Sequence, residues 1–281
     1  METKSTPGAV AYPPPLDRLL GLGSLFTRGS AWRDYRQIGL GPEHVPDLIR
    51  MARDPELNYA DQDDPGVYAP LHAWRALGQL AAPEAAGPLA ELLVQLPDDD
   101  GANEELPEVL GMIGAAGVGP MVGLLANPIL EERTRISAAS ALEEIARRHP
   151  ELRDRCVQML MGQLKHHARQ SKGLNAFLVF DLVELGAVEA APLIQAAFEA
   201  ERVDLLIGGD WEDVQVELGL LPERVTPRPH LDALGRLGIK LPAADRPGAD
   251  PSRAPVAAAA RARRKEDKRR KAERASRKRR K

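Results

Sequence analysis

The run Asp98–Glu105, DDDGANEE, sets five carboxylates around Gly101 within eight residues. Carboxylates this dense can hold a divalent cation, and Gly101 directly after Asp100 invites a calcium-loop reading. An EF-hand in that register needs oxygen ligands at 96 and 107, where the chain has Leu96 and Pro107. The run is then either a solvated loop whose acids sit near the positive N-terminus of the next helix, or an acidic patch for a partner. GDWEDVQ, Gly209–Gln215, reads as a helix start, with Asp210 as N-cap and Asp213 completing a capping-box pattern. Trp211 in that first turn either packs on the preceding element or stands out as an interface anchor. His166 and His167 are adjacent, so on a helix they diverge by about 100° and cannot readily share a metal. His72 reads as a packed or partly exposed helical residue. Cys156, the single cysteine, shares an apolar face with Leu152 and Leu160 and reads as a small buried hydrophobe. Alone it excludes an internal disulfide framework and a Cys-built zinc site. Gly111, Gly114 and Gly117 have the wrong spacing for a dinucleotide loop, and no phosphate-loop motif occurs. No Ser, Cys, His and acid combination declares itself. The expectation is a binding protein and not an enzyme, with no cofactor and no metal.

The formal net charge of −3 hides a strong asymmetry. Residues 261–281 hold 14 Lys or Arg against three acids, whereas residues 1–260 hold 24 bases against 38 acids. The tail bases are Arg261, Arg263, Arg264, Lys265, Lys268, Arg269, Arg270, Lys271, Arg274, Arg277, Lys278, Arg279, Arg280 and Lys281. Beyond Val256 the only apolar residue type is Ala, so this segment can enter neither a core nor a membrane surface. Glu266–Arg270, Asp267–Lys271 and Glu273–Arg277 place the acid four residues before the base, which favours a helix, while charge repulsion opposes it. Residues 256–281 are therefore expected to be disordered or transiently helical and to order on a polyanion. Three uses remain open: phosphate contacts on RNA, DNA or ribosomes, docking on the acidic body, or solubility alone.

The elements that position these residues follow from an internal repeat. LGQLAAPEAAGPLAELL at 77–93, LGMIGAAGVGPMVGLL at 110–125 and LVELGAVEAAPLIQAAF at 182–198 share one plan, and Leu40 to Ala52 is a weaker copy. In each, a helix ends at Leu or Ile, an Ala/Gly-rich turn follows, and a second helix begins with Pro in or near its first turn. Those prolines are Pro46, Pro88, Pro120 and Pro192. Proline is tolerated there because the first helical amides lack partners anyway. The gap between Pro120 and Pro192 leaves room for a further pair at 131–167, broken at His149–Pro150 and with Cys156 at the proline position. Helices are predicted near 31–38 and 43–53, 68–81 and 84–96, 104–114 and 117–126, 131–149 and 151–167, 172–185 and 188–200, and 211–219. Residues 1–15 read as a disordered leader, 16–221 as the helical body, and 222–255 as a Pro-rich linker with one apolar patch at 231–241.

The A-x-x-A-L-G-x-L…A-x-P-L-x-x-L-L pattern resembles bacterial HEAT-like repeats of the phycobilisome-lyase type. HAWRALGQL at 72–80, EELPEVLGMIG at 104–114 and GDWEDVQVELGL at 209–220 resemble a bacterial HEAT-repeat family whose members often end in a Cys-rich SEC-C zinc knuckle. The resemblance covers roughly 31–221, and the knuckle is absent here, so no zinc role carries over. It implies an all-α, right-handed solenoid of about five HEAT-like hairpins, each burying its apolar faces against its neighbours.

In such a stack the junctions between repeats line one edge. Asp61, Asp63 and Asp64, then Asp98, Asp99, Asp100, Glu104 and Glu105, and finally Asp210, Trp211 and Glu212 fall at junctions and are expected to form an acidic, partner-binding ridge. The function expected is a cytoplasmic protein-binding scaffold with a nucleic-acid-binding tail. The alternative is an enzyme or enzyme subunit on the same scaffold, lyase-type or nucleic-acid-modifying, since HEAT-like folds include both. Against a duplex-modifying enzyme stands the acidic body, because a duplex groove needs a basic lining. No stretch approaches the roughly 20 apolar residues of a membrane span, and the N-terminal residues lack a signal peptide's apolar core. Few Lys beside many Arg in residues 1–260 point to a GC-rich bacterial source.

Overall fold

The computed structural model describes residues 12–23, 32–61 and 63–227. The expected tail at 256–281, most of the linker and most of the leader lie outside these residues. Among the described residues every regular element is helical and no strand occurs. The helices are α1 (Val45–Ala52), α2 (Pro55–Asn58), α3 (Ala69–Gln79), α4 (Ala86–Gln95), α5 (Asp100–Ile113), α6 (Ala115–Ala126), α7 (Glu132–Arg148), α8 (Arg153–Leu164), α9 (Lys172–Glu184), α10 (Ala191–Glu199), α11 (Leu205–Gly208) and α12 (Trp211–Glu217). Short 3-10 turns lead into several of them. The chain divides into two compact units, Met1–Cys156 and Val157–Lys281.

In the first unit α3 lies between α1 and α5, α5 packs on α7, and α6 packs on both α4 and α7. The recurring Leu-Gly pair explains how closely. Leu77 and Leu110 are fully buried, while the glycines beside them face the next helix. A Cβ on Gly78 would meet Val109 Cγ1 at 3.3 Å, and one on Gly111 would meet Glu144 Cβ at 2.7 Å and its backbone carbon at 3.1 Å. The repeat therefore needs glycine for helix approach. In the second unit α9 packs against α11 and α10 against α12.

Helix starts share a device. Asp54, Asp99 and Ser171 cap α2, α5 and α9 by accepting from the backbone N–H of Glu56, Ala102 and Leu174. Four residues after each cap, an Asn amide turns back onto nearby carbonyls. Asn58 reaches Ala52 O and Asp54 O, Asn103 reaches Pro97 O and Asp99 O, and Asn175 reaches His167 O and Arg202 O. Pro107 lies inside α5 and cannot donate to the Asn103 carbonyl. The Ser137 hydroxyl of α7 comes in beside that site, 2.7 Å from Asn103 Oδ1 and 3.5 Å from Asn103 O.

The expected break at His149–Pro150 is present: α7 ends at Arg148, a 3-10 turn spans Pro150–Leu152, and α8 begins at Arg153. Cys156 is fully buried, and burial pushes its thiol pKa up. Three details differ from expectation. The helix predicted at 31–38 is only a 3-10 turn, Tyr35–Ile38, stopped by Gly39 at φ 91°. Helix α5 starts at Asp100 and not at 104, so most of the acidic run is helical and not loop. Pro120 is interior to α6 because Gly114, at φ 81°, joins α5 to α6 with no loop between them.

Candidate functional site

A buried polar cluster lies in the first unit, around α3. His72 is fully buried, and both its ring nitrogens are engaged. Nε2 lies 3.0 Å from the Gly23 carbonyl and Nδ1 lies 2.7 Å from the Tyr35 hydroxyl. A carbonyl only accepts, so the proton sits on Nε2, and the Tyr35 O–H donates to Nδ1. Burial lowers the His72 pKa to about 4 and pushes the Tyr35 phenol up to about 12. One turn along, Arg75 grips Glu105 of α5 through both carboxylate oxygens, at 2.6 Å from Nε and 2.5 Å from the terminal nitrogen. The Trp74 indole N–H donates to the same carboxylate at 3.3 Å. The Arg75 guanidinium lies 5.2 Å from the centre of the Trp32 ring. Burial alone would lower the arginine's pKa, but the Glu105 hydrogen bonds and charge outweigh it and hold the value above normal. These groups satisfy one another. The cluster pins the chain on both sides of residues 24–31 to α3, and α3 to α5, which is a stabilising role.

The sequence missed this cluster because the partners Tyr35 and His72, Trp74 and Glu105, and Arg75 and Glu105 lie 30 or more residues apart in the chain. One signal was available: Arg75 and Glu105 occupy nearly the same step of successive first helices, counted from Tyr68 and Asp99 as caps. Helices α3 and α5 pack on each other, so opposite charges at matched steps of the two can meet.

The acidic residues divide by task. Asp61 accepts from the Asp63 N–H, Asp64 caps the 3-10 turn at Pro65–Tyr68, and Asp99 caps α5. Asp100 pairs with Arg133 at the start of α7. Asp61, Asp63, Asp64, Asp98, Asp99 and Glu104 are exposed. Glu105 departs from the expected ridge, because a helix beginning at Asp100 turns position 105 towards α3 and Arg75. The α4–α5 and α6–α7 junctions are stitched together, since the Thr134 hydroxyl of α7 donates to the Leu93 carbonyl of α4 at 3.1 Å. Large apolar side chains are exposed here too: Tyr59 (72%), Ile129 (90%) and, in the last turn of α4, Val94.

In the second unit the expected ridge residues are engaged internally. Asp210 and Asp213 form the anticipated reciprocal cap of α12. Arg224 holds Asp210 at 2.6 and 2.8 Å and also pairs with Asp213 and Glu212. Hydrogen bonding to Asp210 raises the Arg224 pKa. Glu212 accepts from the Val225 and Thr226 N–H groups and the Thr226 hydroxyl, which lowers its pKa. Trp211 is half-buried and packs against Phe198 at a centroid distance of 6.2 Å. Among the described residues no three of His, Cys, Asp and Glu converge as a metal-holding group, and no helix is long and apolar enough to cross a membrane. Comparison of the chain with protein-family models, curated proteins and solved structures gives no match.

Proposed function

We propose that the chain is a non-catalytic protein-binding scaffold, a right-handed solenoid of about five HEAT-like hairpins, whose basic tail adds sequence-independent affinity for nucleic acid or ribosomes. One observation carries the scaffold reading. The large apolar side chains exposed in the first unit, Tyr59, Val94 and Ile129, all fall at or beside junctions between helix pairs, and each is followed within five residues by exposed carboxylates, Asp61, Asp63 and Asp64, Asp98, and Glu131 and Glu132 respectively. Apolar anchors in a polar surround are the usual composition of a protein interface, and repeat proteins commonly bind along such a surface. The stacking of α3, α5 and α7 through glycine contacts supports the solenoid.

The test is affinity capture with nuclease treatment, comparing the wild type with Tyr59→Ala/Ile129→Ala. Each truncated anchor is expected to weaken the captured complex by about 1 kcal/mol or more, with the helical circular-dichroism signal unchanged. Equal capture by the double variant would remove the edge as the binding surface.

A further inference from the structure

The acidic net charge of residues 1–260 conceals one stretch of the opposite kind. Between Asp154 and Asp181 the chain has no Asp or Glu. The α8–α9 loop within it, KHHARQSK, places Lys165, Arg169 and Lys172 within eight residues, and all three are exposed. None of them forms an ion pair among the described residues.

The loop is held from beneath by buried amides. Gln170 is 7% exposed and Asn175 is fully buried. Gln163 donates to Gln170 Oε1 at 2.8 Å, Gln170 donates to Asn175 Oδ1 at 2.5 Å, and Asn175 donates to the His167 carbonyl at 3.0 Å. Arg202 closes the base, donating to the His167 and Gln170 carbonyls at 3.3 and 2.6 Å. Backbone polar groups are thus satisfied inwards while the three cations project outwards. Ser171 caps α9, so Lys172 also stands at the positive pole of a 13-residue helix. Asp204 comes near, since its N–H donates to the Lys172 carbonyl, but its carboxylate accepts from the Leu206 N–H at 3.0 Å.

We infer that the Lys165–Lys172 loop is a nucleic-acid contact, binding the phosphate backbone without reading sequence. A pre-ordered loop presents its charges without the entropy of ordering backbone at the moment of binding. The loop contains no Phe, Tyr or Trp to serve as a stacking platform, so its three cations are matched chiefly to phosphates. A membrane surface fits less well: no large apolar side chain is exposed between Ile129 and Val188 to enter a bilayer. Residues 165–172 are a different segment of the sequence from the basic tail at 256–281.

The experiment uses the full-length chain, the full-length triple variant Lys165→Gln/Arg169→Gln/Lys172→Gln, and a matched triple at exposed positions of the other unit, Arg18→Gln/Arg36→Gln/Arg50→Gln. Binding to a short mixed-sequence DNA duplex is followed by fluorescence anisotropy across a salt series, and thermal melts confirm folding. Each lost phosphate contact reduces the salt slope by about one, so the loop variant is expected to flatten it by about three and the matched control to leave it near wild type. Wild-type slope in the loop variant, or equal loss in both triples, overturns the inference. So does loop-dependent binding to phosphatidylserine vesicles without loop-dependent binding to DNA. The tail is intact in all three proteins, so a tail that contributes nothing leaves the difference between them unchanged, and the two claims fail separately.

Discussion

His72 couples the N-terminal segments to acid stability. The folded chain keeps it neutral down to about pH 4, whereas an unfolded histidine takes up its proton near 6.5. As pH falls through that window the unfolded state binds the proton first, so stability present above about pH 6.5 is progressively lost until about pH 4. The size is roughly 3 kcal/mol, from the shift at about 1.4 kcal/mol per unit. Urea denaturation at a series of pH values checks this, and His72→Phe is expected to flatten the profile across the window. Tyr35→Phe removes the hydroxyl that donates to Nδ1 among the described residues and leaves a buried acceptor unpaired, which costs about 1–3 kcal/mol. The Arg75–Glu105 pair carries a separate prediction. Glu105→Gln leaves a guanidinium that is 5% exposed without its counter-charge, and about 3–5 kcal/mol of stability should be lost. Melting of the variant at an unchanged temperature would mean that water reaches the arginine.

Among the helices, glycine does opposite things at different positions. A methyl group on Gly111 would run into Glu144 of α7, backbone included. Gly111→Ala must therefore push α5 and α7 apart, at about 1–3 kcal/mol. Gly119, in α6, has nothing within 4 Å of the position its Cβ would take, and it is exposed. Gly119→Ala should stabilise by about 0.5–1 kcal/mol through helix propensity. Opposite shifts in the thermal midpoint of the two variants are the expected result, and shifts of the same sign would discard the packing explanation of the repeat's glycine. Local logic reached the boundaries of α3, α4, α7 and α12 within a few residues, because caps, prolines and apolar spacing act over one or two turns. It failed at 31–38, where a turn of apolar spacing was too short to sustain an α-helix before Gly39, and at 98–105, where Asp99 caps the helix earlier than the apolar pattern begins.

For the whole molecule, charge is the quantity that composition alone misleads on. Deleting 256–281 removes all 14 tail bases and none of the described helices. If about five phosphates are engaged by the tail on duplex DNA, the deletion should flatten the salt slope by about four while the thermal midpoint stays put. A fall in the midpoint would mean that the tail docks on the body, and an unchanged slope would mean that it serves solubility.

The helical class and the break at His149–Pro150 were legible in the sequence, because each follows from interactions within a few residues along the chain. The candidate functional residues were legible only in part. Asp61, Asp63, Asp64 and Asp98 are exposed as a polar loop residue should be, but the fate of any one carboxylate depends on which cation reaches it. Glu105 is drawn inwards by Arg75, from 30 residues away, and Asp210 and Glu212 are closed over by Arg224 and Thr226. Tyr35 and His72 likewise meet only when the chain returns on itself. The acid-free stretch around Lys165 to Lys172 could be read by eye, yet its display as a rigid cationic loop rests on Gln170, Asn175 and Arg202 meeting beneath it. Spacing along the chain decides which face of a helix a residue occupies; only packing decides what that face meets, and hence whether a charge is neutralised or left for a partner.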